Sequence, residues 1–277
     1  MADTHNHIVD PLRFPIVPGV GYTPRQADEW GTFEQFDAML GQNAVSNALL
    51  VQPSCYGTDN SAMLDAIARS AGRFRGIAVV DIEADDRTLH ELADAGIIGV
   101  RFNMMQSDRN VFARSGSPAL ARIRELGWFL AMSRDGALGE RLAPRLERSG
   151  LLLIVDHHFG LPAPQEGIDQ LRLPGPAQGG TVRRQLDRQA DGTLPGHACP
   201  VRKLPRAAAL CGSARRSFRD RQLHLGPDWP YPNGGGRHRY DRLVATSSGN
   251  GSEHGGPQER IYWENPARLF GFSPGLG

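Results

Sequence analysis

The chain has 277 residues with a formal net charge of +1 at pH 7, and 22% of its residues are charged. Basic and acidic side chains nearly balance, which argues against nucleic acid as a partner, and no apolar run approaches the roughly 18 residues that span a membrane. The three cysteines, Cys55, Cys199 and Cys211, contain no C-x-x-C pair, so we expect neither a disulfide framework nor a thiolate metal site. These features favour a cytoplasmic protein that acts on a small molecule.

Short apolar runs alternate with longer amphipathic ones up to about residue 162. Helical spacing marks 61–68 and 87–96, and the second of these ends at Gly96, a typical residue after a helix C-terminus. The alternation predicts β-α units around a parallel sheet, and so an α/β fold of the (β/α)8 TIM-barrel class with 1–277 as a single domain. The apolar runs predict β-strands at 3–9, 48–52, 76–81, 99–103, 128–132 and 151–156.

The segment 171–221 lacks this alternation, since it is rich in Arg, Pro, Gly, Ala and Gln and has neither strand nor helix periodicity. Its prolines would interrupt a helix or a central strand. We therefore expect no patterned seventh strand there, and a barrel that is distorted or incomplete at that position. Two interpretations stay open: a long irregular, disordered insertion, or a stretch of coding sequence read out of frame. A shorter segment, 246–258, has the same character.

Two histidines, His5 and His7, lie in the first predicted strand. Alternate side chains of a strand share a face, so we expect the two imidazoles to point the same way, with Asp3 beneath them. Such a pair can bind a divalent cation or polarise a carbonyl. The alternative is two exposed histidines in a frayed terminus.

Further polar residues follow the ends of other predicted strands, which is where active sites of α/β barrels form. His157 and His158 end the sixth run, and either can be the site histidine, although His158 is preferred over its neighbour. Asp228 follows the last apolar segment and is otherwise a turn cap. Arg101, at the end of the fourth strand, can bind a substrate carboxylate through both guanidinium nitrogens, or else forms a surface ion pair.

Together, His5, His7, His158 and Asp228 would form a cluster of three imidazoles and one carboxylate. A carboxylate in this position can deprotonate water, while imidazoles polarise a scissile carbonyl directly or through a metal. The combination is typical of a hydrolase.

Several motifs occur in a characteristic order along the chain. They are D-T-H-N-H at 3–7, Y-T-P at 22–24, Q-P-S-C-Y-G-T-D-N at 52–60, G-V-R-F-N at 99–103, H-F-G-L-P at 158–162, D-W-P at 228–230 and E-N-P-A-R-L-F at 264–270. As an ordered set they resemble the amidohydrolase superfamily, and within it the 2-pyrone-4,6-dicarboxylate lactonase group.

The resemblance implies a hydrolase that opens a small carboxylated lactone from aromatic-compound or sugar-acid breakdown. Asp228 would be the general base for the attacking water, and His5, His7 and His158 would surround the carbonyl. The resemblance implies either no cofactor or one divalent metal, zinc or manganese, held by these same four residues. Relatives with two metals carry a lysine at the end of strand five, which this chain lacks.

The resemblance also implies a substrate-binding set consisting of Arg101, Tyr22, Ser54 and Asn233. Two other functions stay open: a decarboxylase with one metal in the same kind of barrel, and a catalytically dead barrel remnant. One departure from the family pattern is Pro227, which stands where relatives carry Ser or Thr beside the proposed base. The oligomeric state is not predicted.

Overall fold

The computed structural model describes residues 1–20, 22–24, 27–81, 83–103, 116–133, 151–156, 186–190, 223–226, 229–230 and 259–274. Eight strands in these ranges form one parallel sheet whose order follows the chain. The strands are β1 (Ala2–Asn6), β2 (Asn47–Val51), β3 (Phe74–Ala78), β4 (Ile97–Asn103), β5 (Phe129–Ser133), β6 (Leu152–Asp156), β7 (Leu186–Ala190) and β8 (Leu223–Leu225). Asn6 also pairs in parallel with Trp229, which joins the first strand to the chain beyond the last one. This arrangement confirms the predicted (β/α)8 barrel class.

The seventh strand corrects the expectation for the segment 171–221. β7 pairs in parallel with β6 on one side and with β8 on the other. Its sequence, L-D-R-Q-A, has no apolar run, but backbone hydrogen bonds do not depend on side-chain type, and neighbouring strands override weak local propensity. A strand therefore occupies this position, although, as expected, its sequence carries no apolar pattern. The remainder of 171–221 and the predicted irregular segment 246–258 lie outside the described residues.

The first strand ends at Asn6, earlier than its apolar pattern predicts. The next backbone groups bond elsewhere, because His7 N donates to Trp229 O at 2.8 Å. Val9 and Gly31 then form an antiparallel bridge through two hydrogen bonds of 2.9 and 2.8 Å. The chain leaving β1 is thus hydrogen-bonded to Trp229, which lies beyond β8, and to the segment before the first helix.

Five α-helices are described: α1 (Phe33–Gln42), α2 (Ser61–Arg69), α3 (Asp86–Asp94), α4 (Gly116–Glu125) and α5 (Asn265–Phe270), and a π-helical turn, Arg260–Glu264, directly precedes α5. The predicted helices at 61–68 and 87–96 are confirmed as α2 and α3, and Gly96 has the positive φ, 94°, that favours glycine after a helix. α1 begins with a capping box in which the Thr32 and Gln35 side chains each accept a hydrogen bond from the other's backbone N–H. None of the helices in the described ranges combines the length and apolar character needed to cross a membrane.

The sheet buries apolar side chains on both faces. Alternate strand residues such as Ala48, Leu50 and Val100 pack against helices on the outer face. The residues that alternate with these form a second cluster, which combines side chains from five of the strands and therefore lies on the inner face of the barrel. Two aromatic rings from the C-terminal segment pack against this cluster. The inner set is Ala2, Leu49, Val51, Ile77, Phe129, Ala131, Ile154, Phe270 and Phe272.

Asn60 links the loop after β2 to the end of β3. Its amide nitrogen donates to Thr58 O at 3.0 Å and to Val79 O at 2.9 Å, and its amide oxygen accepts from Val79 N at 3.1 Å. The side chain is buried, so these hydrogen bonds replace the water that it loses on folding. This contact holds two loops in place at the C-terminal edge of the sheet.

Candidate active site

The described residues of the predicted site gather at the C-terminal edge of the strands. His5 lies on β1, and His7 follows the last residue of that strand. Arg101 lies near the end of β4, and Ser54 begins a short 3-10 turn, Ser54–Tyr56, directly after β2. Because parallel strands all end at the same edge, these residues belong to one mouth of the barrel.

His5 and His7 form a buried pair. Their exposed fractions are 1% and 4%, so the alternative of two exposed histidines in a frayed terminus is wrong. The ring centroids lie 5.0 Å apart, and the ring planes meet at 86°. The prediction that the two imidazoles share one face is confirmed.

Asp3 does not lie beneath them, because β1 contains an irregularity. Asp3 pairs with Ala48 and Asn6 pairs with Leu50, so β1 takes one more residue than β2 between the two pairs. Paired residues of adjacent strands share a face, and Ala48 and Leu50 both belong to the outer face. The extra residue therefore reverses the alternation between Asp3 and the histidines. The Asp3 carboxylate accepts a hydrogen bond from His5 N at 3.4 Å.

Two successive carbonyls at the end of β2 hold two of the predicted site residues. Nδ1 of His7 lies 2.7 Å from Val51 O, and Nη1 of Arg101 donates to Gln52 O at 3.5 Å. A carbonyl oxygen only accepts, so Nδ1 of His7 carries the proton and donates it. The His7 imidazole therefore presents Nε2 as its other nitrogen, which is the nitrogen that can act in the site.

Arg101 lies on the inner face of the barrel. It pairs with Ala131 of the inner set and alternates with Val100 of the outer face. Only 7% of the residue is exposed, so its alternative interpretation as a surface ion pair is wrong. A buried guanidinium at the mouth of a barrel suits an anionic ligand better than it suits solvent.

Gln52 is a residue whose role the sequence did not reveal. Its side-chain Nε2 donates to Gly57 O at 3.3 Å and to Asp59 O at 2.6 Å, and the residue is 1% exposed. These contacts fold the following loop back onto the residue whose carbonyl accepts from Arg101. The only local signal is a polar residue immediately after an apolar strand, which many loops share.

Tyr22 and Cys55 connect the segment after β1 to the loop after β2. The Cys55 thiol is completely buried, and this burial raises its pKa to about 11, although a hydrogen bond with the Tyr22 side chain opposes the shift. Val17 N also donates to Cys55 O at 3.2 Å. Burial likewise raises the pKa of Tyr56, whose hydroxyl accepts from Asp10 N at 3.0 Å. Tyr22 is thus held against the same loop that carries Ser54.

Four predicted residues, His157, His158, Asp228 and Asn233, lie outside the described residues. Their described neighbours in the chain are informative. His157 follows Asp156, the last residue of β6, and Asp228 precedes Trp229, whose carbonyl accepts from His7 N.

The buried histidine pair offers donor atoms of a type that divalent metals bind. Neutral imidazole is a common ligand of zinc, and a histidine whose Nδ1 donates to a carbonyl is oriented to bind through Nε2, as His7 is. Within the described ranges, no group of three or more His, Cys, Asp or Glu side chains could hold a metal ion. His5 and His7 would supply two ligands, and a complete set would need His158 and Asp228.

Solved structures share this fold. A probable 2-pyrone-4,6-dicarboxylic acid hydrolase from Acinetobacter baumannii, crystallised with citric acid bound, has a TM-score of 0.82 and 23% identity, covering 98% of this chain and 99% of that chain. Two more distant structures contain metals. An amidohydrolase from Burkholderia multivorans holds zinc (TM-score 0.67, 14% identity, 98% and 99% covered), and 5-carboxyvanillate decarboxylase from Novosphingobium aromaticivorans holds manganese (TM-score 0.62, 14% identity, 98% and 96% covered).

Curated relatives match nearly the whole chain. One is 2-pyrone-4,6-dicarboxylate hydrolase from Comamonas testosteroni, 28% identical over 97% of this chain and 89% of the relative. Another is 4-sulfomuconolactone hydrolase from Hydrogenophaga intermedia, 28% identical over 97% of this chain and 88% of the relative. The amidohydrolase family model matches residues 2–272. The fold, the buried histidine pair and this match lead to one conclusion: the chain belongs to the amidohydrolase family.

Proposed function

We propose that this protein hydrolyses the ester bond of a small carboxylated lactone. The observation that carries the proposal is the attachment of His7 and Arg101 to successive carbonyls at the end of β2. These hydrogen bonds hold the His7 imidazole, which can act on a carbonyl, and the Arg101 guanidinium, which can bind a carboxylate, at the same edge of the barrel. The two curated relatives support the proposal, because both names describe hydrolysis of a lactone that carries acidic groups.

Asp228 would start the reaction by accepting a proton from water, whose oxygen forms a bond to the lactone carbonyl carbon. The carbonyl electron pair moves to its oxygen, and the imidazoles of His5, His7 and His158 stabilise that charge. The ring C–O bond then breaks, and the departing oxygen takes the proton from Asp228. The product is an open-chain acid with one more carboxylate than the substrate.

The hydrogen bond between His7 Nδ1 and Val51 O allows two forms of this mechanism. A protonated His7 would donate Nε2–H directly to the developing oxyanion. A neutral His7 would instead offer the Nε2 lone pair to a divalent metal, shared with His5, His158 and Asp228. A bound metal would supply Lewis acidity at the carbonyl. We propose that no metal is required and that one divalent ion is the alternative.

Arg101 would hold a substrate carboxylate from the inner face of the barrel. Tyr22 and Ser54 would contact the same end of the substrate, since the contacts of Cys55 and Gln52 hold their loops at the mouth. Asn233 completes this set by resemblance alone. A hydrogen bond between the Arg101 guanidinium and a carboxylate contributes about 1.5–3 kcal/mol to binding. We therefore expect the substrate to be anionic at neutral pH.

Hydrolysis of a panel of carboxylated lactones, followed by ultraviolet absorbance, tests the proposal. We expect turnover by the wild type and a loss of several orders of magnitude in Asp228→Asn, because the substitution removes the base and keeps the shape. Asp94→Asn makes the same chemical change at an exposed position of α3 and should leave turnover unchanged. Wild-type turnover in Asp228→Asn would refute the assignment of the base.

The same assay separates the two forms of the mechanism. Turnover that survives chelation would support the metal-free form. Turnover abolished by a chelator and restored by zinc or manganese would support the metal form. Carbon dioxide release from aromatic carboxylates, with no lactone hydrolysis, would instead support the decarboxylase alternative.

A further inference from the structure

The indole of Trp229 fills the space beside Gly31. A Cβ atom placed on Gly31 would lie 2.4 Å from Cζ3 and 2.6 Å from Cη2 of Trp229, and 2.9 Å from Cγ of Pro230. Real Cβ atoms do not approach other carbon atoms this closely, so the position accepts only glycine while Trp229 stays where it is.

The elements around the indole are themselves fixed. Gly31 is held by its two backbone hydrogen bonds with Val9, so it has little room to retreat. The ring of Phe36, on α1, packs against the indole: the two ring centroids lie 5.1 Å apart, and the ring planes are inclined by 32°. Phe36 is completely buried, and the capping box at Thr32 fixes the start of its helix.

The backbone of Trp229 transmits this position to the site. Its carbonyl accepts the hydrogen bond from His7 N at 2.8 Å, and the residue pairs in parallel with Asn6. A displacement of the indole would therefore reach His7 through one hydrogen bond.

We propose that Gly31, Phe36 and Trp229 are positioning residues that set the location of His7. This inference rests on the proposed hydrolysis for its effect on turnover, but its effect on His7 does not depend on the substrate. Near-attack geometry tolerates little error, since a misplacement of about 1 Å can lower a rate on the order of a hundredfold.

The test compares Gly31→Ala with Gly41→Ala. Gly41 lies on α1, and a Cβ there meets nothing within 4 Å, so it is a matched control for the same added methyl group. We expect Gly31→Ala to lower kcat by about tenfold or more with little change in KM, while Gly41→Ala behaves as wild type. The second readout is the nuclear magnetic resonance signal of the His7 imidazole and amide protons, which should shift only in Gly31→Ala.

A second-site variant tests for direct contact. Phenylalanine lacks the Cζ3 and Cη2 atoms of the indole, so adding Trp229→Phe to Gly31→Ala should recover part of the lost kcat and return the His7 signals toward wild type. If Gly31→Ala does not fold, Phe36→Leu takes its place, since it removes the ring contact with the indole and keeps an apolar side chain at this position.

The outcomes separate this inference from the proposed function. If no lactone is hydrolysed but the His7 signals shift in Gly31→Ala, the positioning role stands and the lactonase assignment fails. If turnover and the His7 signals are the same in Gly31→Ala as in Gly41→Ala, the positioning role is refuted. An unchanged His7 signal in both Gly31→Ala and Phe36→Leu refutes it as well.

Discussion

Raising the pH above about 9 should destabilise the folded protein through the thiol of Cys55. Its ordinary pKa is 9.0, and burial raises it to about 11 in the folded state. Between these values the folded state keeps a proton that the unfolded state has lost. Stability therefore falls as the pH rises through this window, and the whole contribution is present only below the unfolded pKa.

The size of the effect follows from the shift. One pKa unit corresponds to about 1.4 kcal/mol, so the shift of the Cys55 pKa contributes about 3 kcal/mol to the free energy of unfolding at low pH. About half of this contribution, near 1.4 kcal/mol, is lost by about pH 10. The assay is urea unfolding of the wild type and Cys55→Ala under reducing conditions at about pH 8 and about pH 10. Cys55→Ala carries its own packing cost at both values. The free-energy difference between the two proteins should shrink by about 1 kcal/mol at the higher pH.

Other titrating groups do not disturb this comparison. Burial is the largest cause of the raised pKa of Tyr56, and it acts in both proteins, so this contribution cancels in the difference. The smaller electrostatic contribution of Cys55 to the pKa of Tyr56 is lost in Cys55→Ala and changes the difference in the same direction as Cys55 itself. A free-energy difference that stays constant between the two pH values would refute the reasoning, because it would mean that Cys55 ionises equally readily in the folded and unfolded states.

Three further predictions concern packing, binding and a buried amide. Gly99→Ala should lower the free energy of unfolding by about 1–3 kcal/mol, because its Cβ would lie 2.6 Å from the backbone oxygen of Phe129. Gly41→Ala should not lower it, and equal stability of the two variants in urea would contradict the prediction. Arg101→Gln should raise KM for the lactone by about 10- to 100-fold and change kcat less, and steady-state kinetics showing the reverse pattern would argue against carboxylate binding. Asn60→Ala should cost about 2–3 kcal/mol in urea unfolding, because it leaves backbone groups at the end of β3 without their partner; a cost near zero would show that water replaces the amide.

The sequence predicted most of the barrel because its strands are continuous apolar runs. A segment buried on both faces needs mostly apolar residues, and this requirement can be seen in the five to seven successive residues of each predicted strand. The histidine pair was equally visible, since His5 and His7 belong to one strand. Arg101 is predicted as a site residue because it follows an apolar run at the edge where barrel sites form, and the structure places it on the inner face of the barrel.

Other features left no local signal. β7 has a polar sequence and is a strand through its pairing with β6 and β8. The irregularity in β1 that separates Asp3 from the histidines is seen only in the register with β2, because a bulge is a mismatch between two strands. In the sequence, Gln52 is indistinguishable from an ordinary loop residue, and only its contacts with Gly57 and Asp59 show that it holds the loop after β2.

The sequence by itself determined which residue types are present for chemistry and which runs must be buried, because both depend on neighbours along the chain. Tertiary structure alone decided how those residues are held: the attachment of His7 and Arg101 to successive carbonyls of β2, and the fit of the Trp229 indole against Gly31. Such contacts join segments far apart in the chain, and their geometry is set by packing, which local periodicity does not encode.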